Sequence, residues 1–108
     1  MTINKYELNA KQLIQLKEKR LETIQTAYIE LLNKEEQIKN IENNLYLKTD
    51  FKELGLTNEK MRTAYVNDTL IPERTDLLFL KFELKQQENS LVILNDLIKL
   101  KLMEMEAE

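Results

Sequence analysis

Apolar residues recur three or four positions apart through the first half of the chain. The series is Ala10, Ile14, Leu21, Ile24, Tyr28, Leu31, Ile38 and Leu45, with polar residues at Lys17, Glu35 and Glu42 where the spacing calls for apolar ones. Such spacing places one stripe of side chains on one face of a helix. It predicts a long helix over residues 2–54, with a bend near Asn43–Asn44, where helix propensity is low.

The last part of the chain, residues 72–106, carries the same spacing twice. One series comprises Leu77, Leu80, Leu84, Leu91, Leu94, Ile98 and Met105, with Gln87 and Lys101 as polar members. A second apolar side comprises Leu78, Phe79, Phe82, Val92, Ile93, Leu97 and Leu100. A helix that is apolar on two sides must be covered on two sides. We therefore expect self-association, and we assign it to the first series from Leu77 to Ile98.

Between these arms lies LGLTNEKMRTAYVND, residues 54–68, which contains the single glycine of the chain. Gly55 suits the position just after a helix, where φ is positive. Thr57 can cap a new helix, and Leu56 and Met61 then stand at the two positions of a hydrophobic staple. A short helix is predicted over residues 58–68. Pro72 predicts a break at the preceding residue, Ile71, and the start of the last helix.

The predicted fold is all-α. With one glycine and one proline, the 108 residues allow only two or three chain reversals. A single domain, folded as a long coiled-coil-like hairpin with a short helix at its tip, fits these limits. Two helices bury only one seam, so the hairpin is expected to dimerise into a four-helix bundle. The alternative is a monomer whose first arm breaks at Asn43–Asn44 and folds back into a three- or four-helix bundle.

The composition excludes several classes of chemistry. The chain has no cysteine or histidine, so disulfides, Cys/His zinc sites and histidine acid–base catalysis are ruled out. The net charge of −3 gives no block basic enough for strong phosphate binding. One glycine cannot build a phosphate-binding loop. We therefore expect no enzyme activity, cofactor or metal. With no apolar run of about 18 residues and no signal-peptide core, we also expect a cytoplasmic protein without a membrane span.

Two further hypotheses involve basic side chains. Lys17, Lys19 and Arg20, with Tyr6 and Tyr28 on the same arm, form a basic cluster with nearby aromatic residues, as single-stranded nucleic-acid binders do. Interleaved Glu18 and Glu22 favour an exposed helix of alternating charge instead. Similarly, Lys60 and Arg62 near a helix start could hold an anion, although Glu59 in the same turn opposes this.

The segment KTDFKELGLTNEKMRTAYVND, residues 48–68, resembles a segment of small proteins encoded by phages and prophages of low-GC Gram-positive bacteria. The resemblance covers about 20 residues and implies a phage origin and action inside the infected cell. It supplies no catalytic residues. It makes an inhibitor of a host or defence protein plausible, with an accessory protein of phage recombination or replication, or a structural assembly protein, as alternatives.

The segment is also more particular than a turn demands, since many residue sets could build a plain corner. We therefore predict that the tip contacts a host or phage protein. The residues assigned to this contact are Asp50, Phe51, Glu59, Lys60, Arg62 and Tyr65.

Overall fold

The computed structural model describes residues 8–107, which form three helices. Helix α1 spans Ala10–Lys48, α2 spans Glu59–Thr69 and α3 spans Ile71–Ala107. Residues 8–107 contain no strand. The predicted all-α helical hairpin with a short tip helix is confirmed. The predicted start of the first helix, at Thr2, lies outside the described residues.

Helix α1 runs unbroken through Asn43 and Asn44 and ends at Lys48, six residues before the predicted end. The alternative fold, in which the first arm breaks there and folds back, is therefore wrong. Two asparagines lower helix propensity by less than a proline does, so tertiary packing outweighs them. Leu45, one residue further on, packs against the core of this region.

A single helical turn, Phe51–Gly55, connects α1 to α2. Asp50 caps its start, because Oδ1 accepts a hydrogen bond from the Glu53 N–H at 3.1 Å. Gly55, with φ of 74°, ends it: its N–H donates to Lys52 O and the Leu56 N–H donates to Phe51 O. These two bonds form a Schellman motif. Gly55 thus has the predicted capping position, but it ends this turn and not the long helix.

Helix α2 starts at a different cap from the predicted one. Asn58, in extended conformation, accepts a hydrogen bond from the Met61 N–H at 2.9 Å. The predicted cap at Thr57 is wrong by one residue, which also removes the predicted staple. Asparagine is the stronger capping residue of the two. The break after α2 falls at Leu70, one residue before the predicted Ile71.

The chain divides into two compact units. The terminal unit combines Met1–Tyr28 with Phe82–Glu108, and the tip unit is Ile29–Lys81. In the terminal unit, Leu13, Leu84 and Leu94 are buried. Arg20 Nη1 donates a hydrogen bond to Gln87 Oε1 across this unit, from α1 to α3.

The tip unit contains the second half of α1, the connecting turn, α2 and the start of α3. Its core is formed by Ile38, Val66 and Leu70, one from α1 and two from the α2 region. Val66 and Leu70 are fully buried. Around them pack partly buried side chains: Ile41, Leu45, Phe51, Tyr65 and Leu77.

The buried face of α1 differs from the predicted stripe in its first half. The positions covered along one stripe are Ala10, Leu13, Lys17, Arg20, Ile24, Ala27, Leu31, Lys34, Ile38, Ile41 and Leu45, and Leu16 and Glu42 beside the stripe are also partly covered. The spacing along the stripe alternates three and four, as in a heptad pattern. Ile14, Leu21 and Tyr28, which the predicted stripe includes, are exposed. The covered face accepts Arg20 and Lys34 because both have partners on α3.

On α3, the first apolar series forms the face covered within the chain. Met105, at the far end of the series, is exposed, whereas Leu84 and Leu94 are buried and Leu77, Leu80, Leu91 and Ile98 are partly buried. The members from Leu77 to Ile98 were assigned to self-association, but the single chain already covers them. Leu78, Phe79, Phe82, Val92, Ile93 and Leu100, from the second series, are exposed.

Candidate functional site

Three aromatic rings from three elements meet in the tip unit. Phe51, in the connecting turn, has its ring centroid 6.3 Å from that of Tyr46 on α1 and 6.2 Å from that of Tyr65 on α2. The contact with Tyr65 is edge-to-face, a preferred geometry for aromatic pairs. Phe51 and Tyr65 also pack against the core, whereas Tyr46 is 41% exposed.

Arg62 joins this cluster from the first turns of α2. Its guanidinium carbon lies 5.6 Å from the centroid of the Phe51 ring, within the range of a cation–π contact. Its Nε donates a hydrogen bond to Leu56 O at 3.1 Å, so the same side chain holds the connecting turn. Tyr46, Phe51, Arg62 and Tyr65 are called the tip cluster below.

The structure separates the six residues predicted for the tip contact into three groups. Phe51, Arg62 and Tyr65 meet in the tip cluster. Asp50 is exposed, and its carboxylate caps the connecting turn. Glu59 and Lys60 are exposed in the first turn of α2. The predicted set therefore mixes side chains that hold the turn in place with side chains that face solvent.

Charged pairs fix the start of α3 against α1 within the same unit. Lys34 Nζ contacts Glu73 and lies 3.6 Å from Asp76 Oδ2. The hydrogen bond to Glu73, reinforced by both carboxylates, raises the pKa of Lys34 above its usual 10.5. Arg74 donates to Asn67 Oδ1 at 2.9 Å and lies 3.5 Å from Glu42. Both networks are structural, since the first joins α1 to α3 and the second joins α3 to both α1 and α2.

Tyr46 is the functional candidate that the sequence reasoning missed. It lies outside the conspicuous segment and follows a covered residue, Leu45, on α1. Its hydroxyl lies 3.5 Å from Thr63 Oγ1 on α2, so the exposed ring lies alongside the short helix. An aromatic residue one position from the covered stripe, near the end of a helix, is the only signal that could have identified it.

The basic cluster on α1 does not form a phosphate-binding surface of three free cations. Arg20 donates to Gln87, and its Nε is buried without a partner. Lys17 is partly buried and Lys19 is exposed. Tyr6 lies outside the described residues. Only part of the cluster is therefore presented to solvent.

Two further findings concern the described residues 8–107. No group of three or more acidic side chains there is arranged to hold a metal ion. None of the three helices contains an apolar stretch long enough to cross a bilayer.

Comparisons of this chain with protein-family models, with characterised proteins and with solved structures find no match. The site therefore has to be interpreted from its own geometry.

Proposed function

We propose that this chain is a non-enzymatic protein that binds another protein through its tip. The observation that carries the proposal is the tip cluster with its exposed border. Tyr46 and Arg62 are exposed at its edge, and Glu59 and Lys60 lie exposed in the first turn of the same short helix. Tyrosine and arginine are the residues that most often contribute binding energy at protein interfaces.

The tip is held in one conformation before any partner arrives. Asp50 and Asn58 cap its two helical segments, Gly55 closes the turn between them, and Arg62 bonds back to Leu56. Ordering side chains and loops is a large part of the cost of association. A surface fixed in advance avoids that cost. This supports recognition at the tip over a role as a corner alone.

The partner proposed is a host protein in the cytoplasm of a bacterium infected by a phage that encodes this chain. This part of the proposal depends on the resemblance of residues 48–68 to phage-encoded segments. Binding would inhibit the partner by occluding its surface, and the partner could belong to a defence system. The exposed charges of Glu59 and Lys60 favour a partner surface with charges of both signs, and the exposed ring of Tyr46 favours an apolar contact beside them.

The experiment is affinity capture from a host lysate with two charge-reversal baits. Lys60→Glu changes the tip, and Lys99→Glu makes the same change at an exposed position of α3 in the terminal unit. We expect one or more host proteins to be captured by the native chain and by Lys60→Glu in clearly different amounts. The Lys99→Glu bait should capture the same proteins as the native chain.

Circular dichroism on each bait checks that helicity is retained. Equal capture by all three baits would contradict recognition at the tip. Loss of capture with Lys99→Glu alone would move the binding surface to the terminal unit.

A further inference from the structure

The terminal unit leaves a stripe of apolar side chains on the side of α3 opposite its covered face. Phe82, Ile93, Leu100 and Met103 are exposed, and Val92 flanks them. Together with Gln86, Asn89 and Asp96, they follow a spacing of four, three, four, three, four and three residues from 82 to 103. That is the heptad spacing of a helix that packs against a second helix. The stripe is thus a second helix-packing face on one helix.

We infer that this stripe binds the same stripe of a second copy, with the two α3 helices antiparallel. Phe82 is 61% exposed, and Val92, Leu100 and Met103 are each exposed by more than half. A phenylalanine side chain presents about 150–250 Å² when fully exposed, and the aliphatic side chains present somewhat less. Phe82, Ile93 and Leu100, with Val92 at their flank, therefore offer on the order of 400 Å² of apolar surface per copy, while Met103 lies beyond the paired positions. Two copies bury about 800 Å² of apolar surface, and the polar members of the stripe bring the total to about 1,000 Å², the lower limit for a specific interface.

Charge selects the antiparallel orientation. In a parallel pair, each residue of the stripe faces its own counterpart, so Asp96 would face Asp96 of the second copy, which is repulsive. An antiparallel pair can be aligned so that residues of the stripe on one helix face residues of the stripe on the other. Phe82 then faces Leu100 of the second copy, Gln86 faces its Asp96 and Asn89 faces its Ile93. Lys85 then lies beside Asp96 of the second copy. Lys85 provides that carboxylate with an opposite charge, and Gln86 provides it with a hydrogen-bonding partner.

A second copy fits this face better than an unrelated helix does. The register is closed under two-fold symmetry, because each pair occurs twice. Gln86 and Asp96 meet each other in it, and Asn89 lies opposite Ile93. Apolar layers at Phe82–Leu100 lie at both ends of the contact, with the polar layers between them. The proposal uses only residues 82–103 of the terminal unit and is independent of the tip.

The first test is the molar mass in solution, measured by sedimentation equilibrium over a concentration series. We expect the native chain to show twice its monomer mass of 12.9 kDa. Phe82→Gln should raise the dimer dissociation constant about 100-fold, because the symmetric dimer loses two such anchors. Met105→Gln is the matched control: Met105 is equally exposed, at 62%, on the same helix but off the stripe. It should leave the mass unchanged.

The second test reads the orientation with single cysteines, since the chain has none of its own. Gln86→Cys and Asp96→Cys are oxidised separately and as a mixture. The antiparallel register predicts a disulfide-linked dimer in the mixture and none with either variant alone. Cross-linking of each variant with itself indicates a parallel pair and overturns the register.

A native chain that stays monomeric at about 100 μM overturns the proposal. A dimer whose mass is unaffected by Phe82→Gln also overturns it, because the copies then meet elsewhere. The helix content of Phe82→Gln, measured by circular dichroism, should equal that of the native chain, since Phe82 is exposed within the single chain.

Discussion

The tip unit and the terminal unit are built from the same two long helices, yet they bury their side chains differently. In the tip unit, α2 supplies Val66, and Leu70 follows at its C-cap; both are fully buried against Ile38. The terminal unit has only one segment of α1 and one of α3. It buries three leucines and covers Arg20, whose Nε has no partner. The tip unit has a closed core because α2 packs on its two long helices, whereas the terminal unit has only one seam between two helices.

The comparison explains why the two units are proposed to bind different things. Two helices have one shared face, so any further apolar face stays exposed until another molecule covers it. In the terminal unit that face is the stripe from Phe82 to Met103. In the tip unit the third helix closes the core, although Leu47, Leu78 and Phe79 stay exposed elsewhere in the unit. The exposed side chains that border the tip cluster are mixed: Tyr46, Arg62, Glu59 and Lys60. Such a mixed border is better suited to selective binding of one partner protein than to association driven by apolar burial alone.

The largest expected effect distinguishes the two cores. Leu70→Ala, in the tip unit, should lower the free energy of unfolding by about 3–5 kcal/mol, because helices on several sides hold the cavity open. Leu94→Ala, in the terminal unit, should cost about 2–3 kcal/mol, because two helices can collapse towards each other. Urea denaturation followed by circular dichroism measures both. Equal losses would remove the proposed difference between the units.

The next effect has the opposite sign. Replacing both Arg20 and Gln87 by leucine should raise the free energy of unfolding by about 1–2 kcal/mol, because an unpaired buried Nε and a desolvated charge are removed. Arg20→Leu alone should gain less, since Gln87 then lacks its donor. A double variant that is less stable than the native chain would show that Arg20 makes a net favourable contribution.

A smaller loss is expected at the start of α2. Asn58→Ala should cost about 1 kcal/mol, because the Met61 N–H loses its acceptor. Thr57→Ala is the matched control and should change stability by less than about 0.5 kcal/mol. Thermal unfolding monitored at 222 nm compares them. The reverse order would restore Thr57 as the cap.

The smallest effect is a pH dependence in the tip unit. Its contacts with Glu73 and Asp76 raise the pKa of Lys34 in the folded chain. The resulting stabilisation is fully present below pH 10.5 and is lost as the pH rises through the folded-state pKa. Lys34→Met should therefore lose less stability than the native chain between pH 9 and pH 11.5. Urea midpoints at the two pH values provide the measurement, and identical losses would contradict the role of Lys34.

Most of the architecture could be predicted from the sequence, because helix-forming residues and one glycine leave few topologies. The residues of the covered face of α3 were predicted to form one apolar stripe, since leucines occupy it at almost every position, but that stripe was assigned to a second copy and not to α1. The covered face of α1 was predicted only in part: Ala10, Lys17, Ile24, Leu31, Ile38 and Leu45 are covered, whereas Ile14, Leu21, Tyr28 and Glu35 are exposed. In the first half of this helix, apolar spacing favours Leu21 and Tyr28, whereas the chain covers Arg20, and only its distant partner Gln87 makes that possible.

The tip was likewise predicted only in part from its sequence. Gly55 was predicted at its capping position because positive φ strongly favours glycine. The end of α1 was misplaced because Asp50 caps a separate turn, and neither residue type nor spacing distinguishes that turn from more helix. Phe51, Arg62 and Tyr65 were predicted as parts of one contact surface, which stays a prediction, and their packing against one another was not predicted. Tyr46 joins them only through the packing of α1 on α2.

The proposal of tip recognition is tested most directly by exchanging one tyrosine at a time on α1. Tyr46 and Tyr28 lie on the same helix and are 41% and 52% exposed, one in each unit. The measurement is the amount of host protein captured per mole of bait by Tyr46→Ala and Tyr28→Ala, each with native helicity. Recognition at the tip predicts at least a tenfold loss with Tyr46→Ala and native capture with Tyr28→Ala. Native capture by Tyr46→Ala, or equal losses in both, would contradict it.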